Sequence, residues 1–330
     1  MSKVCLYFIQ QPEKDRWIRG DRHVRPWIRR LLRGPGRPSG IERVFLNLCH
    51  GVDRLGIPYV VNPPFGDLKR GDRIGVLGRG RHCLDGYDRP FPIVAGIGLM
   101  THPSEWPTLC DDYPVVRYLQ HASWANDLYK PYYGDRCALW PAGIDTDSWQ
   151  PTESRRKDTD FLLYNKIHWC INERRIELLD PIKKILQKQG LSFLEIRYGH
   201  YRPVEYRQAL ARCRAMIFLS ESESQGIACQ EALSSGVPVL AWDPGECRDP
   251  LRFQWGVPHI PASSVPFFDE RCGMCFPHSG AFLETLGCFL CTLQSGRFAP
   301  REHILERFTL EKSATQFLSY LDAAQEVGQE

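Results

Sequence analysis

The stretch Ala215–Trp242 constrains the fold more than any other part of the chain. It opens on a continuous apolar run, Ala215-Met-Ile-Phe-Leu219, and closes that run on Ser220. An uninterrupted apolar run with polar ends is the pattern of a strand buried on both faces of a parallel sheet. A turn of Ser, Glu, Gln and Gly follows, in which Ser222 and Ser224 are both candidate N-caps for a helix over 227–235. Gly236 stands where a glycine ends a helix, and Pro238 just beyond prevents its resumption. Val239–Trp242 reads as the next strand, so the unit is strand, turn, helix, strand and belongs to the α/β class.

Two carboxylates, Glu223 and Glu231, stand eight positions apart in this unit. Glu223 lies in the turn at the carboxyl end of the first strand, and Glu231 about two turns into a small, apolar helix. Between them the helix N-terminus offers the backbone N–H groups of Gln225, Gly226 and Ile227, an anion-binding arrangement. Gly226 lets a ligand approach the backbone closely. The pattern suits a phosphate on the N–H groups and sugar hydroxyls on the carboxylates. A solvated surface turn with Glu231 facing water has the same spacing.

Glu223, seven residues, Glu231, then Ala232-Leu-Ser-Ser-Gly236-Val-Pro-Val239 resembles the E-x7-E signature of retaining GT-B glycosyltransferases of the family 4 kind. Two positions depart from the family pattern: Ser224 replaces a usual glycine and Ser234 a usual alanine. A second element, Ala138-Leu-Trp-Pro-Ala-Gly143-Ile-Asp145 through Pro151, resembles the family segment that leads out of the first domain, with Ala142 in place of the common Asn. A third is weaker. Phe161-Leu-Leu-Tyr164 reads as a strand, and Lys166 follows it where the family carries a phosphate-gripping Arg. Arg174 or Arg175 would supply the second cation, at a longer spacing than usual.

Composition excludes several classes. The chain has 330 residues, a length that suits two domains, and 43% hydrophobic residues, ample for packed cores. A net charge of +3 is small for a dedicated nucleic-acid binder. No apolar run reaches the length of a membrane span, and the run Val4–Ile9 is too short for a signal peptide. The 13 cysteines are odd in number, scattered and often within apolar segments, as in a reducing compartment. These features point to the cytoplasm. Cys272-x-x-Cys275 and Cys288-x-x-Cys291 have zinc-like spacing. The second pair, however, falls on the apolar helical stretch 282–293, without turn residues, and is read as helical core rather than metal ligands.

The first half of the chain repeats the α/β pattern. Val4–Ile9 is a first strand. The segment from Arg16 to Arg37 interleaves arginines with Trp17, Trp27, Ile28, Leu31 and Leu32, the spacing of a basic amphipathic helix that would meet an anionic membrane face or a lipid-linked acceptor. A solvated basic loop with buried tryptophans is the competing reading. Ser39-x-x-Glu42 is a capping box opening a helix with apolar positions at 41, 44, 45, 48, 52 and 55. The Gly-rich loop ahead of it makes Ser39 and Gly40 candidate phosphate contacts. Strands are expected at 59–61, 74–78, 93–98 and 115–119. His121 then stands at a strand's carboxyl end, where open sheets bind ligands, and is a candidate catalytic residue against the alternative of a core histidine. In the second half, Glu153 to Asp160 reads as a charged linker. Ile176, Leu179, Ile182, Ile185 and Leu186 mark a helix, 192–198 a strand, 205–213 a helix and 310–324 a final helix.

The resemblance and the alternating pattern together imply the GT-B architecture, two Rossmann-like domains facing a central cleft. Residues 1–147 would form an acceptor domain and 148–304 a nucleotide-sugar donor domain, with the helix at about 305–330 packing back on the first. By the resemblance, Glu231 holds ribose hydroxyls and Glu223 the transferred sugar. Lys166 with Arg174 or Arg175 neutralises the leaving diphosphate, and the amides of Gln225–Ile227 add to that. The implied activity is sugar transfer from a nucleotide-sugar donor, such as a UDP- or GDP-sugar, to a glycan or lipid-linked acceptor with retention. No cofactor is expected, and no metal, since the cations and amides that the resemblance places on the diphosphate would neutralise it. A nucleotide-sugar epimerase or a non-catalytic nucleotide-sugar-binding protein of the same fold stays open. The expected location is the cytoplasm, at the inner face of a membrane if the basic segment binds one.

Overall fold

The computed structural model describes residues 2–9, 38–152 and 157–327. The basic segment Arg16 to Arg37, the Gly/Pro-rich residues up to 37 and residues 153–156 of the expected linker lie outside the described residues. The chain divides into two compact units. One comprises Met1–Leu119, Tyr129–Ala138 and Ala314–Glu330, and the other Gln120–Leu128 and Leu139–Ser313. The change from first to second unit therefore falls at 138/139, earlier than 147, and the residues at 120–128 count with the second.

The first unit is built on β1 (Val4–Ile9), β2 (Tyr59–Val61), β3 (Arg73–Gly78), β4 (Ile93–Gly96), β5 (Val115–Gln120) and β6 (Cys137–Leu139). Their order in the sheet is β2-β1-β3-β4-β5-β6. β1 pairs in parallel with β2 and β3, β3 with β4 and β4 with β5. Parallel pairing demands crossovers that cover both faces, which is why β1, β3 and β4 are almost wholly apolar. The helix Gly40–Arg54 opens with the expected capping box and buries Val44, Phe45, Leu48 and Val52. The last helix, Leu310–Val327, reaches β3 within this unit. A Cβ on Gly75 would lie 2.7 Å from the Phe317 ring, so only glycine admits that ring against the strand. Arg73 also pairs with Asp322 at 2.9 Å.

The second unit carries a five-stranded sheet of β7 (Thr159–Lys166), β8 (Phe193–Arg197), β9 (Cys213–Ser220), β10 (Val239–Trp242) and β11 (Gly273–Phe276). The order is β11-β10-β9-β7-β8, with every neighbouring pair parallel. Alternate residues fill two separate cores. Leu162, Tyr164, Met216, Phe218, Val239 and Ala241 point to one, and Phe161, Leu163, Ile217, Leu219, Leu240 and Trp242 to the other. Two-sided burial of period 2 is what the continuous apolar runs encode. The chain order reverses between β7 and β9, so their carboxyl ends flank the switch point where open α/β sheets bind ligands.

Four local expectations change. β7 begins at Thr159, inside the segment read as linker, and β9 begins at Cys213, at the end of the segment read as helix. The helix after β7 is not regular: α-turns at Ile171–Arg174 and Asp180–Lys188 flank a π-turn at Arg175–Leu179. Pro181 has no N–H to give to the carbonyl four residues back, and its ring crowds that carbonyl. A wider turn at this place accommodates both effects. The extra residue rotates the preceding turn, so Ile176 is 64% exposed instead of lying on the apolar face with Ile182 and Leu186. Finally, Cys288 and Cys291 lie exposed on the helix Ser279–Gln294, whose buried side is Phe282, Leu286 and Phe289. They are not core residues, because that narrow stripe leaves the other faces of an apolar helix in water.

Candidate active site

The site grows from the switch point of the second sheet. Lys166, the last residue of β7, stands in register with Ser220, the last residue of β9. Three residues on, Glu223 is nearly buried, and its carboxylate takes Lys166 Nζ at 2.6 and 2.8 Å. The Ser220 hydroxyl donates to Glu223 Oε1 at 2.7 Å. The Glu223 backbone is fixed as well: its N–H donates to the Ser263 carbonyl at 2.9 Å and its carbonyl accepts Trp124 Nε1 at 2.9 Å. Lys166 Nζ also lies 4.8 Å from the centre of the Tyr198 ring, a cation–π distance. Cation, carboxylate and aromatic face thus meet at one point.

Behind this point starts the helix Ile227–Ser234. Neither Ser222 nor Ser224 caps it. Gly226 is the N-cap, in the left-handed region at φ 71°, and the helix start carries no side-chain cap. A left-handed residue ahead of a helix reverses the chain more tightly than a serine cap does, and glycine alone adopts it without cost. Ser224 is exposed and not at positive φ, so its place in the turn does not require a glycine. The helix ends as expected: Gly236 N–H donates to Leu233 O and Val237 N–H to Ala232 O, the Schellman arrangement. Ser234, the other departure, donates its hydroxyl to the Trp149 carbonyl at 2.6 Å in a fully buried place. Arg301 grips the same carbonyl together with those of Thr146 and Ser234. Glu231 is only 7% exposed on this helix, so it does not face bulk water.

Gln225 is held by its side chain. Oε1 accepts the Ala142 N–H at 2.9 Å, and Nε2 donates to Ala142 O at 3.3 Å and to Gln230 Oε1. This two-point grip on the backbone accounts for an alanine where the resemblance would place asparagine, since position 142 is fixed through its main chain. The two arginines separate. Arg174 donates to Glu177 at 2.9 Å, and its guanidinium lies 5.7 Å from the Trp242 ring centre. Arg175 is 59% exposed and turned towards Asp180 at 3.9 Å. Arg174 is therefore the one directed to the carboxyl ends of the strands.

His121 is 3% exposed, with Nδ1 2.7 Å from the Trp140 carbonyl. Burial pulls its pKa down to about 4, against a smaller opposing effect of that carbonyl, so the ring is neutral near pH 7. Ser39 and Gly40 lie in the first unit. The Ser39 hydroxyl accepts the Glu42 N–H at 3.2 Å and is engaged in the capping box.

Two residues were not picked out from the sequence. Glu221, one residue beyond β9, is 2% exposed and accepts two backbone N–H groups. Arg248, in the turn after β10, pairs with Glu246 at 3.0 Å. Both stand in polar loops where no periodicity separates a structural charge from a solvated one. Among the described residues, Asp269, Cys272 and His303 bring three potential metal donors within 4.8 Å of one another. Asp269 is already held by Arg271 and by His303 Nδ1, each at 2.8 Å. Burial pushes its carboxyl up, but the Arg271 and His303 contacts outweigh that and hold it well below the usual carboxylate range. Arg271 Nη2 lies against both Asp269 Oδ2 and His303 Nδ1, so these side chains already partner one another.

No protein-family model and no curated protein matches the chain. Among solved structures it is similar to the pneumococcal O-GlcNAc transferase GtfA in complex with UDP and GlcNAc, at 14% identity and TM-score 0.53, over 78% of this chain and 58% of that one. It is similar also to the GtfA/B complex, at 13% identity and TM-score 0.51, over 74% of this chain and 55% of that one. The chain thus spans somewhat over half the length of those chains. At such identity the likeness shows the fold: α/β with two parallel sheets, the fold of GT-B glycosyltransferases.

Proposed function

We propose that the chain is a glycosyltransferase that takes a sugar from a nucleotide-sugar donor and passes it to a glycan or lipid-linked acceptor with retention at the anomeric carbon. One observation carries this reading: Lys166 and Glu223 meet at 2.6 Å at the switch point, beside a helix start without a side-chain cap. A sugar diphosphate presents phosphate oxygens and sugar hydroxyls within a few ångströms of each other, and this pair offers a cation and a carboxylate at that spacing. Lys166 then takes the phosphate and Glu223 a sugar hydroxyl. The amides at Gln225–Ile227 and Arg174 face the remaining phosphate charge, and Glu231 takes the ribose hydroxyls. His121, kept neutral by burial, hydrogen-bonds the donor sugar.

In the reaction the bond between the anomeric carbon and the phosphate oxygen breaks. A bond from the acceptor oxygen forms on the same face, and the acceptor's proton passes to the departing diphosphate. Charge grows on that diphosphate, so fixed cations and amides there lower the barrier. This reading needs no metal, because Lys166, Arg174 and the amides supply the positive charge.

UDP-sugars are the first donors to try, since the similar GtfA structure holds UDP and GlcNAc. Calorimetry with UDP and GDP, followed by donor turnover across an acceptor panel, tests the proposal. Binding with acceptor-dependent release of nucleoside diphosphate supports it. A free sugar isomer formed without acceptor indicates an epimerase, and tight binding without any turnover a binding protein. For the segment Arg16 to Arg37 the proposal is peripheral contact with an anionic membrane. Failure to float with anionic vesicles at low salt would remove that part alone. No helix among the described residues is long and apolar enough to cross a membrane.

A further inference from the structure

The carboxyl end of β9 carries a second carboxylate that the proposed chemistry leaves unused. Glu221 is 2% exposed. Its Oε2 accepts the His168 N–H at 2.9 Å and its Oε1 the Trp169 N–H at 3.2 Å. Both amides belong to the short segment that joins Lys166 to the helix starting at Ile171. A carboxylate this deep is costly unless it is hydrogen-bonded and neutralised. Burial raises its pKa, while the two amides and the nearby guanidinium groups of Arg174 and Arg248 oppose that rise. The carboxyl group is thus a buried double acceptor around which the segment is folded.

The segment is also strained. Cys170 lies in the left-handed region at φ 49°, ψ 47°, although it has a Cβ. Such a conformation persists only where its surroundings over-determine it, and strained residues of this kind collect at functional sites. The clamp on the two preceding amides is what holds it here. Downstream, the Arg174 N–H donates to the Cys170 carbonyl at 2.8 Å. A change in the conformation of 168–170 therefore shifts the helix start that carries Arg174 and frees the chain directly after Lys166.

We propose that Glu221 is a positioning residue for the leaving diphosphate: it does not touch the donor, but sets the segment that presents Lys166 and Arg174 to it. This inference rests on the glycosyltransferase reading. Glu221→Gln keeps the size of the side chain, removes its charge and turns one acceptor into a donor facing an amide. The first readout needs no activity. Peptides covering 167–174 should exchange amide hydrogen faster in Glu221→Gln than in the wild type, with the rest of the second unit unchanged. The second is kinetic. Misplacing a catalytic group by about 1 Å costs about 10²-fold, so kcat should fall by about that factor while the donor KM moves less than about threefold. The third is suppression: Cys170→Gly removes the left-handed penalty, and added to Glu221→Gln it should recover part of kcat.

Unchanged exchange at 167–174 overturns the clamp. Faster exchange with intact kcat overturns the positioning role, as does a kcat loss that only tracks the fraction of folded protein. If the wild type neither binds a nucleoside diphosphate nor turns over a donor, the glycosyltransferase reading fails and the positioning role with it. The exchange result then still reports on the clamp.

Discussion

The Lys166–Glu223 pair gives the sharpest energetic prediction. Its partners meet at 2.6 Å, with 20% of the lysine side chain and 9% of the glutamate side chain exposed. At an effective dielectric near 20, two unit charges at that separation attract by about 6 kcal/mol before desolvation is subtracted. Breaking a buried pair on one side costs about 3–5 kcal/mol, and surface pairs are worth about 0–1. The lysine keeps some contact with water, and the Ser220 hydroxyl still donates to the carboxylate at 2.7 Å. Lys166→Met should therefore destabilise the second unit by about 2–3 kcal/mol, just below the buried range. Glu223→Gln keeps a neutral acceptor and should cost about 1–2 kcal/mol. The double variant leaves no unpaired charge and should cost less than the sum, with a coupling of about 2 kcal/mol. Urea unfolding measures the cycle, fitted with two transitions because the chain has two compact units. A coupling below about 0.5 kcal/mol would mean that the pair behaves as a surface ion pair, and the idea of a preset cation–carboxylate site would fall.

Two further outcomes follow from burial and charge. Glu231→Ala should weaken nucleoside diphosphate binding by about 1.5–3 kcal/mol, the worth of charged hydrogen bonds to ribose, with little change in unfolding; equal affinity by calorimetry removes its assignment. His121, with its pKa pulled down to about 4 by burial, refuses a proton that the unfolded chain accepts. Its contribution to stability is thus complete above pH 6.5 and lost as pH falls towards 4, at a limiting slope of about 1.4 kcal/mol per pH unit. His121→Gln should flatten the pH dependence of the urea midpoint in that window, and curves that run parallel to the wild type refute the buried neutral state.

How far the sequence foretold this molecule depends on which physical signal each element carries. β9 and β10 were legible because two-sided burial leaves an unbroken apolar run, and the helix end at Gly236 because the Schellman turn needs that residue. The helix start was misread. Ser222 and Ser224 have the chemistry of caps, but the chain turns at Gly226 in the left-handed region, and a glycine in a Ser/Glu-rich turn gives no sign of its φ. The helix after β7 was misread for a related reason. Apolar spacing assumes a constant period, and the π-turn ahead of Pro181 changes it, which puts Ile176 in water. Cys288 and Cys291 show the reverse: on an apolar helical stretch their spacing reads as core, but only the stripe of Phe282, Leu286 and Phe289 is buried.

The candidate site follows the same division. Glu231 stands out because it interrupts an apolar helix, and Glu223 because it precedes Glu231 by eight positions at a strand's end; both are nearly buried. Lys166 stands out because it ends a strand. Glu221 lies two residues from Glu223 in a run of Ser and Glu, and only the spacing to Glu231 ranks Glu223 above it. What separates them is the direction of each side chain. Glu223 turns to Lys166 Nζ, a side-chain cation that a ligand can compete for. Glu221 turns to two main-chain amides, which nothing but a change of backbone releases. The exchangeable partner marks a group that binds, and the fixed partner a group that positions. Two carboxylates two residues apart in one turn thus differ in kind, one paired with a side-chain cation and the other with the main chain, and only the hydrogen-bond partners reveal which is which.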